Sequence, residues 1–138
     1  MMKPSSKTRK NDKKFVKWIE ENLWKPLVRK RAGYRCEIPG CTNSSDNAQM
    51  HAHHIFLKSS YFLRTHPDNG ILLCAWHHSQ VHCGSAEEKV RHLIGMIRQV
   101  KGEEVCNQLE QYKKSSPIMK GVAVEERYKL LEEMLNEY

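Results

Sequence analysis

Apolar residues recur at helical spacing in four segments of the chain and alternate in one. Over residues 13–31, Phe15, Ile19 and Leu23 fall four apart with Val16 and Leu27 beside them, which predicts a helix buried along one stripe. Pro26 lies inside that segment and predicts a kink or a fresh start. Trp18 and Trp24 read as packing residues. QMHAHHIF, at 49–56, alternates like a short strand. Residues 57–70 form a loop ending in the turn signal PDNG. ILLC then reads as a buried strand, and AWHHSQVH as a short helix stopped near Gly84.

Ser85-Ala86-Glu87-Glu88 has the pattern of a capping box, so a helix is expected after it. That helix is predicted to bury Val90, Leu93, Ile94, Ile97 and Val100 and to end at Gly102. A shorter helix follows with Val105, Leu109 and Tyr112. Ser115-Ser116-Pro117 breaks the chain, and a last helix from about 123 to 138 places Leu131, Met134, Leu135 and Tyr138 on one side. There is no internal repeat. Helix, hairpin region, then helices is an α+β order.

Length and charge narrow the class. A chain of 138 residues fits one domain with one modest core. No apolar run approaches the roughly 18 residues of a membrane span, and the charged N-terminus has no hydrophobic segment behind it, so no secretory signal is read. A soluble, cytoplasmic protein with no membrane partner is expected. The formal net charge is +7. Residues 1–35 hold 12 Lys/Arg against 3 Asp/Glu, while the remainder is slightly acidic. A basic N-terminal third suggests a polyanionic partner, most often nucleic acid. Residues 1–12 read as a disordered basic arm, residues 13–85 as the core with its N-terminal helix, and residues 86–138 as a helical tail.

The candidate chemistry lies in cysteine and histidine. Five cysteines, at 36, 41, 74, 83 and 106, are an odd count that argues against a disulfide framework. Cys36 and Cys41, then Cys74 and His77, give a C-x4-C, long gap, C-x2-H pattern: a Cys3His set suited to structural zinc. If residues 76–82 are helical, His78 and His82 stand at i and i+4 and share a face, whereas His77 points about 100° away. They form half of a second site. The HAHHI segment supplies its other candidates. His53 and His54 face opposite ways on a strand, so one can be a ligand while the other stands near the ion as a proton acceptor. His51 shares the face of His53 and reads as a surface histidine or a competitor.

Read together, RAGYRCEIPGC, AHHI, DNGILLC and HHSQVH resemble the HNH endonucleases, the ββα-metal (His-Me finger) nucleases, over about residues 31–83. The resemblance implies a small ββα-metal core with a structural zinc, flanked by helices, and a metal-dependent enzyme that hydrolyses DNA phosphodiester bonds. By position, it implies His53 as the first ligand of the catalytic ion, His78 and His82 as the other two, and His54 as the general base. Asn69 would fix the loop holding the base, and His77 stands where many members have the second cysteine of a CxxC pair. The catalytic ion would be Mg, Mn, Ni or Zn, and the products would carry a 5′ phosphate and a 3′ hydroxyl. A narrower resemblance, carried by LKSSYFLRTHPDN and the helical tail, is to the lambda-type NinG/Rap recombination nucleases, which act on branched DNA. The doubled histidine at 53–54 departs from their single histidine.

Arg29, Lys30, Arg31 and Arg35 flank the zinc lobe and Arg64 lies in the loop before Asn69, so these five are the candidate phosphate contacts on double-stranded or branched DNA. The apolar faces of the tail suit packing on the core or a homodimer. Other readings of the same residues are a phage packaging or restriction nickase and a non-catalytic zinc-stabilised DNA-binding module. Cys83 as a nucleophile has no paired acid or oxyanion donor near it.

Overall fold

The computed structural model describes residues 12–56, 60–82, 87–115 and 121–138; the side chain of His82 is not among what is described. The chain is α+β: mostly helical, with one two-stranded antiparallel sheet. Helix α1 (Asp12–Ile19) passes into a π-helical turn (Glu20–Trp24) and on into α2 (Lys25–Arg31). Strand β1 (Met50–His54) leads to a one-turn helix α3 (Tyr61–Arg64), then to β2 (Gly70–Cys74) and α4 (Ala75–His82). Three helices complete the chain: α5 (Glu87–Lys101), α6 (Glu103–Ser115) and α7 (Gly121–Asn136).

Pro26 marks the fresh start: a new α-helical segment begins at Lys25, with Pro26 in its first turn, where its missing N–H costs little. The backbone absorbs the disturbance one turn earlier: the Lys25 N–H bonds the Glu20 carbonyl five residues back, which is the π pattern. The widened turn points Glu20, Leu23 and Trp24 inward, exposing 2%, 8% and 0% of their surface.

The strands pair in register His53 with Ile71 and His54 with Gly70. All five β2 residues are buried, so this strand is the centre of the core. Its outer edge is covered by one side chain: Glu37 accepts from the Leu72 N–H at 2.7 Å, and its own N–H donates to the Leu72 carbonyl at 2.9 Å. Lys101, at the end of α5, neutralises that carboxylate at 2.9 Å. Gly70 is a glycine for lack of space. A β-carbon there would lie 2.9 Å from the Trp24 ring and would also collide with Val28.

The tail shares this core. Leu93 and Ile97 of α5 and Val124, Tyr128 and Leu131 of α7 are buried in the same apolar cluster as Phe15, Trp24 and Ile71. Phe15, Trp18 and Tyr128 form an aromatic corner with ring centroids 5.5–6.3 Å apart. The periodicity of the tail misplaced two residues: Ile94 and Val100 are exposed by 47% and 38%, and the last helix ends at Asn136, short of Tyr138. The buried stripe of α7 instead runs Val124, Arg127, Tyr128, Leu131 and so contains a cation. The 1–11 arm, the capping serine Ser85 and the break at 116–117 lie outside the described residues, as do Cys83 and the side chain of Val90. No helix among the described residues is long and apolar enough to cross a membrane.

Candidate metal centre and histidine cleft

The knuckle begins where α2 ends. Gly33 and Tyr34 both adopt positive φ, of 63° and 60°, and turn the chain back. Ile38-Pro39-Gly40-Cys41 then makes a tight turn closed by the Cys41 N–H on the Ile38 carbonyl at 3.0 Å, with Gly40 at φ 83°. That turn brings Cys41 back to Cys36. On the other side, Cys74 ends β2 and His77 sits in the first turn of α4.

The four ligand atoms of Cys36, Cys41, Cys74 and His77 all lie within 4.8 Å of one another, so the cluster could hold a metal ion such as zinc. His77 Nδ1 stands 3.4 Å from the Cys36 sulfur and 3.3 Å from that of Cys74. A tetrahedral zinc with ordinary Zn–S and Zn–N lengths would set such an edge near ~3.6 Å, so the donor set fits. Burial pushes the Cys36 thiol up to about 12. Burial also acts against ionising Cys74, but hydrogen bonds from the Asn43 side chain and the His77 backbone outweigh it and lower that thiol. Burial lowers His77 and keeps its imidazole neutral, the form a metal needs.

The second group of histidines divides as strand alternation demands. His53 is 91% buried, and its ring meets that of His78 edge to face, centroids 5.5 Å apart. His51, two residues earlier, stacks flat on His78 at 4.4 Å and walls that side; its sequence signal was the shared strand face. His82 is the last residue of α4, one turn beyond His78. Its side chain lies outside the described part, and among the described side chains the Cys3His cluster is the one group of three or more metal-ligating residues.

His54 points the other way. Its ring lies on Trp24, centroids 4.1 Å apart with 8° between planes. Its Nε2 is 2.9 Å from the Arg64 carbonyl oxygen. A carbonyl only accepts, so Nε2 carries the hydrogen and Nδ1 is the basic nitrogen of the neutral ring. His53 and His54 both line a cleft of about 300 Å³ with Ile55, Phe56, Val81 and, from α5, Ile94, Ile97 and Arg98.

Asn69 is fully buried and holds the loop in front of His54. Its Oδ1 accepts from the Phe56 N–H at 2.9 Å, and its Nδ2 donates to the carbonyls of Leu63 and Phe56 at 2.9 and 3.2 Å. Arg64 and Arg31, candidates for phosphate, are already engaged. Arg64 pairs with the buried Glu20, and Arg31 donates to the Pro67 carbonyl at 2.7 Å beside Asp68. Arg35 and Lys30 are exposed and Arg29 is half-buried.

Three residues near the site were missed by the sequence reading: Glu20, His66 and Arg127. Glu20 and Arg127 each interrupt an apolar stripe, a signal that was there to be read. His66 had none, because its burial comes from Phe62 and Tyr112 packing around it. No protein-family model, curated protein or solved structure matches the chain.

Proposed function

We propose that the chain is a metal-dependent endonuclease of the HNH, ββα-metal type that hydrolyses DNA phosphodiester bonds. The observation that carries this reading is the pair His53 and His54. Adjacent residues on one strand serve two environments: His53 faces His78 of α4, while His54 is oriented by the Trp24 ring and the Arg64 carbonyl. A ligand and a base placed side by side, both opening on one cleft, are what metal-assisted hydrolysis needs.

His53, His78 and His82 would hold the catalytic ion. A divalent cation there supplies positive charge against the phosphate oxygens. Imidazole donors favour Zn, Ni, Co or Mn over Mg in affinity. His54 takes the proton from the attacking water at Nδ1, since Nε2 is committed to Arg64. The flat Trp24 surface and the carbonyl together fix the ring's rotation, so the basic nitrogen does not have to be found at each turnover. Asn69 keeps the carbonyl-bearing loop in place. A metal on the Cys3His cluster would tie the loop after α2 to β2 and α4, which carries His78. Arg29, Lys30 and Arg35 remain for phosphate; Arg98 lines the cleft but is already engaged by Glu103 and Asn107. The resemblance of the loop and tail to recombination nucleases makes branched DNA the preferred substrate to try.

The test compares wild type with His54→Ala on supercoiled plasmid and on a synthetic four-way junction, without metal and with Mg, Mn, Ni or Zn. Cutting that needs metal and falls roughly 10²–10⁴-fold in the variant is expected. DNA binding without cutting by any metal would leave a zinc-stabilised binding module in its place.

A further inference from the structure

We infer that Arg127, on the last helix, is a positioning residue for His54, acting through the one-turn helix α3. The inference rests on the nuclease reading above. A helix leaves its last four carbonyls without partners, and α3 has only four residues, Tyr61–Arg64. The Leu63 carbonyl accepts from the His66 N–H at 3.2 Å, and side chains from four places add a bond to each of the four. Thr65 donates its hydroxyl to Tyr61 at 3.2 Å, Arg127 Nη1 to Phe62 at 2.8 Å, Asn69 Nδ2 to Leu63 at 2.9 Å and His54 Nε2 to Arg64 at 2.9 Å. His54 is thus the fourth member of a set whose geometry the other three fix.

Arg127 grips that set twice. The same Nη1 that bonds Phe62 also donates to Thr65 Oγ1 at 3.1 Å, and the guanidinium lies over the Phe62 ring, 4.8 Å from its centroid. These contacts bracket Arg64, whose side chain is held from the opposite side by Glu20. Arg127 is 92% buried, and among the described residues no carboxylate pairs with it. A buried cation is costly without such a pair. Packing alone would be met by a leucine or methionine in the stripe between Val124 and Leu131. The guanidinium is accounted for by the carbonyl and hydroxyl it binds, and these belong to the turn that holds His54. The helical tail thereby joins the site without touching the cleft.

The experiment uses the full-length protein as Arg127→Met, Arg127→Lys and, as a control of similar destabilisation on the same helix, Val124→Ala. Metal-dependent cleavage and hydrogen exchange at the Arg64 and His66 amides, which bond Ser60 and Leu63, are both read. Arg127→Met is expected to lose kcat on the order of 100-fold at unchanged KM, because a displaced base costs rate and leaves binding intact. Arg127→Lys should recover part of it with its single donor, and Val124→Ala should keep kcat within about twofold. Both loop amides should exchange at least about tenfold faster in Arg127→Met alone. Should Arg127→Met fail to fold, Thr65→Val, which removes at constant volume the hydroxyl that accepts from Arg127 and donates to Tyr61, carries the test, with Thr65→Ser, which keeps both bonds, as its reference. Wild-type kcat and exchange in Arg127→Met or Thr65→Val, or an equal loss in Val124→Ala, would overturn the inference. Absence of cleavage by wild type would remove the nuclease reading, while the exchange rates still decide whether Arg127 holds the turn.

Discussion

Trp24 and His54 are stacked face to face, ring centroids 4.1 Å apart, although they lie 30 residues apart in the chain. The stack exists because the cross-strand partner of His54 is Gly70. With no side chain at 70, the indole of the first helix slides over the hairpin and reaches the imidazole. The Trp24 N–H then anchors to the His66 carbonyl at 2.8 Å. Gly70→Ala puts a methyl group 2.9 Å from that indole. Overpacking of this kind costs about 1–3 kcal/mol. The variant should melt earlier and its His54 ring resonances should move, because the indole that the new methyl displaces is the surface on which that ring lies. Unchanged His54 resonances would show that the stack does not depend on the glycine.

Removal of metal should act on the fold before it acts on chemistry. The knuckle is built from turns and a single bridge between Arg35 and Ser44, with little core of its own. A structural zinc contributes on the order of 10 kcal/mol in such small sites. Cys74→Ser, or a strong chelator, should therefore abolish cooperative unfolding and release one equivalent of zinc from the cluster. Elemental analysis beside a near-ultraviolet melt reads both. A monodisperse Cys74→Ser protein with the wild-type melt and no zinc would remove the structural role.

Alternation and helical spacing were enough to separate His53 from His54 and to group Cys36, Cys41, Cys74 and His77, because ligand spacing is local geometry. What the pattern did not carry was the role of Trp24. In sequence it is one more aromatic on a buried stripe, and only the pairing of His54 with Gly70 gives it a partner. The same holds for Glu20 and Arg127. Each is a charge on an apolar face, and its partners lie 44 residues away for Glu20 and 62 and 65 for Arg127, in the same short loop. The basic residues were misjudged for a related reason: a count of Arg and Lys cannot show that Arg64 faces a buried glutamate or that Arg31 closes a turn at Pro67. Ile94 and Val100 face out because α5 presents a narrow buried edge along Leu93 and Ile97, and Ile94 lies about 100° round the helix from Leu93.

Asn69 should discriminate donor from acceptor. It accepts once and donates twice, with no exposure. Asn69→Ala leaves the Phe56 N–H without its partner and should cost about 2–3 kcal/mol. Asn69→Asp keeps the shape but turns an anion toward the carbonyls of Leu63 and Phe56. At neutral pH it should be at least as unstable as the alanine variant, and it should regain stability on mild acidification as the carboxyl protonates. Denaturant melts at two pH values decide this. Equal stability of Asn69→Asp and wild type at neutral pH would mean that the two donated bonds contribute nothing.

His66 sets the acid limit of the loop. Its Nδ1 accepts from the Asp68 N–H at 3.1 Å, and its ring packs on Phe62 and Tyr112. Burial, with Arg127 nearby, lowers it to about 4 from an ordinary 6.5, with Asp68 opposing. The folded protein therefore disfavours the imidazolium that the unfolded chain accepts. Between about pH 6.5 and 4 the unfolded state binds more protons, so stability falls as pH falls through that window and is fully present above it. The ring is partly exposed, and solvent screening reduces the contribution to about 2 kcal/mol or less. His66→Phe, which keeps the ring and removes the proton site, should flatten the stability profile between pH 6.5 and 4. A variant that loses stability over that range as steeply as wild type would place the acid sensitivity in another group.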